Sequence, residues 1–133
     1  MRKITRQITE AFANKQAKRS GNDEVTLTND SLRLPDSPFK EVSVVRLYLH
    51  RNKIAEHVIG TNILTVTLAG WGTNTTRERL CGLMTTLNLP IYFTQRNHEQ
   101  YIRTATKGRK IDESELISID LNTGDEVQKL STD

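Results

Sequence analysis

A chain of 133 residues with 35% apolar and 5% aromatic side chains is long enough for one core but not two, and Leu, Ile and Val must supply most of it. Its single cysteine excludes an internal disulfide, and no apolar run approaches a membrane span or a signal segment, so a reducing compartment without membrane insertion is expected. The net charge of +3 conceals blocks: residues 1–19 carry +5, 20–76 carry −1, 77–110 carry +5 and 111–133 carry −6.

In chain order, Ile4, Ile8, Ala11 and Phe12 recur at the spacing of one helical face, which predicts an amphipathic helix over 4–18 that stops at Gly21 and Asn22. A short strand is expected at 24–29. Pro35 and Pro38 with Asp36 and Ser37 argue for a loop or edge excursion over 30–40. Residues 42–50, 53–59 and 63–69 read as a three-strand antiparallel meander, with a tight turn at Arg51-Asn52. In the first of these, Val42 and Val44 share one parity and Val45, Leu47 and Leu49 the other. Either both faces are buried there, or a bulge lies near Val44.

The densest local code is LTVTLAGWGTNTTRERLCGLMTTL, residues 64–87. Leu64, Val66 and Leu68 alternate with threonines as in a half-buried strand, and Gly70 and Gly72 free the backbone on both sides of Trp71. Thr75 followed by Glu78 offers a capping box, and Leu80, Leu83, Met84 and Leu87 form an apolar helical stripe. Beyond Asn88 and Pro90, residues 91–95 and 100–104 read as a hairpin around Arg96-Asn97-His98-Glu99. A basic, glycine-containing linker follows over 106–110, then a late strand over 116–121 and a frayed tail.

The runs LYLHRNKIAE and TLAGWGTNTTRERLCGL resemble small uncharacterised proteins of tailed bacteriophages that share a short hairpin followed by an A-G-W and T-T-R-E-R-L signature. The resemblance spans residues 44–87 and departs at Cys81, where those proteins carry asparagine. It implies a phage gene product acting in the cytoplasm of a host bacterium, and it implies no catalytic residues.

Chemistry-bearing side chains are sparse. His50, His57 and His98 lie in separate elements without the short spacings of a zinc site, so no metal or other cofactor is expected. Cys81 sits at the edge of the helical stripe with no histidine near in sequence, which suits a small buried hydrophobe better than a nucleophile. No P-loop, G-x-G-x-x-G, H-E-x-x-H or G-x-S-x-G string occurs. Trp71 reads first as a lid on the core and otherwise as an exposed stacking platform. Arg77, Arg79, Arg96, Arg103, Lys107, Arg109 and Lys110 are the candidates for phosphate contacts. The plainer reading of such a run is a solvated basic face.

These readings give an α+β fold: a two-layer domain over 1–121, with two amphipathic helices on one face of a mostly antiparallel sheet, and an acidic, flexible tail over 122–133. The expected function is that of a non-enzymatic phage accessory protein binding nucleic acid or a host protein through Trp71 and the second basic block. Two alternatives stand beside it. One is a nucleotide-handling factor or small enzyme with an anion site at Thr73, Thr75 and Thr76, at the start of the second helix. The other is a homo-oligomeric structural component.

Overall fold

The computed structural model describes residues 1–34 and 37–127. Helix α1, Lys3–Ala13, ends sooner than its periodicity suggests, because Lys15 takes a left-handed conformation (φ 56°) and turns the chain out of the helix. Strand β1, Lys18–Ser20, then turns through Gly21 (φ 59°) into β2, Asp23–Leu34. Strands β3, Ser37–Leu49, β4, Asn52–Val58, and β5, Ile63–Val66, continue the meander. Helix α2, Asn74–Thr86, is followed by β6, Tyr92–Arg96, β7, Glu99–Arg103, β8, Gly108–Ile111, and β9, Ile117–Asp120.

Two antiparallel sheets result. The larger runs β1-β2-β3-β4-β5-β9, so the late strand closes back beside β5, and the smaller is β6-β7-β8. Helices and smaller sheet share one apolar face of the larger sheet. Val25, Val45, Leu47, Leu49, Ala55, Leu64, Val66, Ile117 and Ile119 point into it, and Ile8, Phe12, Leu80, Leu83, Met84, Phe93, Ile102 and Ile111 meet them. The α+β expectation therefore holds. The basic linker expected over 106–110 does not, because Gly108–Ile111 pairs with β7 as an edge strand and buries Ile111.

Of the two readings of 30–40, the edge excursion is the one found over 30–34 and 37–40. β2 and β3 stay paired from Asp23↔Leu49 out to Leu34↔Ser37, and only positions 35 and 36 lie outside the described residues. Proline is barred from a central strand, but here the hairpin has outrun its neighbours. β1 reaches only to Val25, and β4 ends opposite Val44, so Pro38 lies on a strand with an open edge. Leu27, of core parity, is 44% exposed on the β2 side of the hairpin, past the last residue that β1 pairs, although Val45 opposite it is buried. Of the two readings of 42–50, burial on both faces is the one found, since Val44 and Val45 are both buried. The register shift falls later, between Leu47 and Tyr48. The turn into β4 uses His50 (φ 51°) and Arg51 (φ 67°), one residue before the expected pair.

The helices meet through polar groups as well as apolar ones. Thr5 and Thr9 are buried on α1, Ile4 only partly, and Gly82 of α2 lies so close that an added Cβ would stand 2.4 Å from the Thr5 methyl. The Thr9 and Thr86 hydroxyls lie 2.9 Å apart, and the Thr5 hydroxyl donates to Glu78. Arg79 is buried at their centre. Its Nε donates to Asp23 Oδ1 at 2.6 Å, Nη2 to Asp23 Oδ2 at 3.2 Å and Nη1 to the Thr5 hydroxyl at 2.8 Å. Burial alone would pull this guanidinium down, but hydrogen bonds and charge from Asp23 and Glu78 outweigh it and raise its pKa.

Glu78 is thus engaged with Thr5 and Arg79 rather than in a capping box. The N-cap is Thr73, two residues before the expected one, and its hydroxyl accepts from the Thr76 amide at 3.3 Å. Two stability measurements follow. Thr73→Ala should lower stability by about 1 kcal/mol in urea unfolding while Thr75→Ala stays near neutral; the reverse order would restore Thr75 as the cap. Asp23→Ala strips the buried Arg79 Nε and Nη2 of their acceptor, leaving the guanidinium only Glu78 and the Thr5 hydroxyl on Nη1, and should cost about 3–5 kcal/mol by the same assay. A loss no larger than that of a surface substitution would show that water reaches Arg79.

Candidate functional site

Alternation along the smaller sheet sorts its residues cleanly. Phe93, Gln100, Ile102 and Ile111 turn inward and are buried, so Tyr92, Thr94 and Arg96 of β6, Glu99, Tyr101 and Arg103 of β7, and Lys110 of β8 share the outer face. Tyr92 lies opposite Arg103, Thr94 opposite Tyr101, and Tyr101 opposite Lys110. The two tyrosines therefore stand on a diagonal, and three cations surround them. Tyr92 is 60% exposed. Glu99 accepts from the Tyr101 hydroxyl at 3.0 Å and from Lys110 Nζ at 2.8 Å, which anchors that ring. These bonds hold the Glu99 carboxyl below its ordinary pKa and raise the Tyr101 phenol and the Lys110 ammonium.

Of the seven cations singled out from sequence, Arg96, Arg103 and Lys110 are brought together on this face, while Lys107 is exposed in the β7–β8 turn. The other three are spent inside the fold. Arg79 is buried and paired with Asp23, which withdraws it from any phosphate-binding surface. Arg77 donates to the Gly72 carbonyl at 2.7 Å and to Gln95 and Gln100 at 3.0 Å each, knitting the Trp71 loop to the smaller sheet. Arg109 donates to Glu115 and to Glu126 at 2.6 Å. The first half of the expected flexible tail is therefore held down. Glu126 also bridges Ile119, and the Val127 amide donates to Ser118, while 128–133 lie outside the described residues. Tyr92 and Tyr101 were legible only as apolar content of a hairpin. The missing signal was their shared parity with Arg96 and Arg103 once the hairpin register was known.

Trp71 is not a lid on the core: it is 58% exposed. Ala69 (φ 55°) and Gly70 (φ 80°) are both left-handed and swing the chain outward, with the Gly70 amide donating to the Glu113 carbonyl at 2.8 Å. The indole flanks a cleft of about 370 Å³ whose other walls are Leu49, His50, Asn52, Ile54, Leu68, Ala69 and the α2 threonines Thr73, Thr75 and Thr76. The structure thus joins Trp71 to the threonine cluster and adds the β3–β4 turn, which sequence spacing did not associate with them. Thr73 and Thr76 hydroxyls lie 3.0 Å apart. Cys81 is on the opposite side of α2, where its Sγ lies 3.4 Å from the Phe93 amide that donates to it. Burial pushes its thiol up, away from the reactive thiolate. Among the described residues no group of His, Cys, Asp and Glu is arranged to hold a metal ion, and no helix is long and apolar enough to cross a membrane.

The Arg109 cluster carries a pH dependence whose sign is set by Glu115. Hydrogen bonds from Arg109 hold the Glu115 carboxyl below its ordinary pKa, so its contribution is present above the unfolded value and lost as pH falls through the folded one. Arg109→Met should therefore destabilise at neutral pH and matter less in acid, where the carboxylate is neutral in both proteins. An equal penalty at both ends of a urea-unfolding pH series would assign the effect to packing.

No curated protein and no solved structure matches the chain. The model of one family, the Kyanoviridae Gp96 protein, matches residues 1–128, which takes in both sheets, both helices, the tyrosine face and the Trp71 cleft. With the match running through every described element, the chain belongs to the Kyanoviridae Gp96 protein family, a family of phage proteins.

Proposed function

We propose that this phage protein is a non-enzymatic accessory factor of the infected host's cytoplasm that holds single-stranded nucleic acid on the outer face of its smaller sheet. The observation that carries this reading is the diagonal of Tyr92 and Tyr101 among Arg96, Arg103 and Lys110. Phenol rings on an open sheet stack on unpaired bases whatever their identity, and the flanking cations neutralise the backbone. Duplex DNA offers no free base face to such a surface. The basic block on α2 does not serve its major groove either, since Arg77 and Arg79 are engaged within the fold.

Fluorescence anisotropy with single- and double-stranded oligonucleotides at two salt concentrations tests it. With Arg96 and Arg103 on phosphates and Lys110 held by Glu99, log K should fall against log salt with a slope of about −1.4 for a single strand. Arg103→Glu should flatten that slope, and Tyr92→Ala should weaken binding by about 1–3 kcal/mol. Duplex bound as tightly as single strand would remove the stacking argument. Absence of binding at low salt would leave a host protein as the partner of this face.

A further inference from the structure

The cleft beside Trp71 is a second surface, separate from the tyrosine face and unused by the function proposed for it. Its floor is apolar and buried, made by Leu49, Ile54 and Leu68, and its rim carries hydrogen-bonding groups: the Thr73 and Thr75 hydroxyls, the Asn52 amide and the His50 imidazole. No lysine, arginine, aspartate or glutamate lines it. One wall is the exposed indole of Trp71. At about 370 Å³ it lies in the range of small-molecule sites, which are mostly apolar with a few polar groups.

Those features select among ligand chemistries. An anion finds no lysine or arginine, because Arg77, the nearest in sequence, is turned to Gly72, Gln95, Gln100 and Asn74, and the Thr76 amide is already taken by its cap. A divalent metal finds one imidazole and no carboxylate or thiolate. An acyl chain would leave the hydroxyl and amide rim unanswered. What fits all three parts is a flat, uncharged ring with hydrogen-bonding edges, its face toward the indole and its edge toward the rim. We propose that the cleft binds a nucleobase, supplied either by a free nucleoside or by an unpaired position of a nucleic-acid strand.

The left-handed Ala69 agrees with this assignment. Nothing in an alanine side chain favours that conformation, and the strain is retained where it turns Trp71 out beside the cleft.

Trp71 is the only tryptophan of the chain, so its emission reports on this cleft alone. Titration with the four free nucleosides should give a saturable change with Kd at or below about 1 mM for at least one of them. Its 5′-monophosphate should bind within about threefold, since no lysine or arginine lines the cleft to add affinity. In calorimetry, Trp71→Ala should lower that affinity about tenfold or more, while Tyr92→Ala leaves it unchanged, which separates this site from the tyrosine face. Thr75→Val offers a second variant that keeps the apolar floor, and it should weaken the nucleoside without altering the unfolding midpoint. An oligonucleotide that changes the emission and is displaced by nucleoside identifies a strand as the source of the base; nucleoside binding with no oligonucleotide response identifies the free ligand. No saturable change with any nucleoside would overturn the proposal. So would a monophosphate bound more than about tenfold tighter, which would mark an anion site, or N-acetylphenylalanine amide bound more tightly than every nucleoside, which would mark a peptide groove.

Discussion

The buried pair of Arg79 and Asp23 is the contact on which the arrangement of elements depends. It ties the second turn of α2 to the start of β2, and the Thr5 hydroxyl brings α1 into the same cluster. An ion pair taken out of water costs desolvation, and an apolar pair of equal volume would stabilise at least as well. Its distinctive property is geometric. A guanidinium that must reach one carboxylate through two nitrogens tolerates few rotations of the helix that carries it. With α2 so held, Leu80, Leu83 and Met84 enter the core and Gly82 takes the close approach of Thr5.

That placement sets both exposed surfaces. The N-terminal turn of α2 contributes three threonines to the Trp71 cleft, and Arg77 one turn before the core stripe ties the Gly72 carbonyl to Gln95 and Gln100. The smaller sheet is thereby fastened at its hairpin end to the loop that presents the tryptophan. Its other end is fastened through Arg109 to Glu115 and Glu126. A sheet of three short strands gains little from its own contacts, and these anchors, with Phe93, Ile102 and Ile111 in the core, keep its tyrosine face outward.

Cations in this chain divide by what surrounds them rather than by where they fall in sequence. Arg77 and Arg79 stand two residues apart in a basic block, and each is consumed by neighbours contributed from elsewhere: Gln95 and Gln100 in one case, Asp23 in the other. Arg96, Arg103 and Lys110 belong to the same block, yet strand alternation turns them outward. The charge that looked like one surface is three structural cations and a smaller exposed group.

Alternation and helical spacing carried the α+β class, the meander, α2 and its stripe, and the late strand, because each is written within a few neighbouring residues. Val66 and Leu68 show their parity locally, as Leu80, Leu83 and Met84 show theirs. Partners distant in the chain were not legible. Thr5 and Thr9 look like polar helix positions until α2 packs over them. Thr73 takes the cap from Thr75 because Glu78 is drawn to Thr5 and Arg79, and Trp71 leaves the core because Ala69 and Gly70 turn left-handed beside Glu113. Sequence order placed Trp71 beside the threonines but could not add His50, Asn52 and Leu49 as the facing wall, nor set Tyr92 and Tyr101 on one diagonal. Those facts depend on which strands pair and in what register, an outcome of burying the whole core at once rather than of any local stretch.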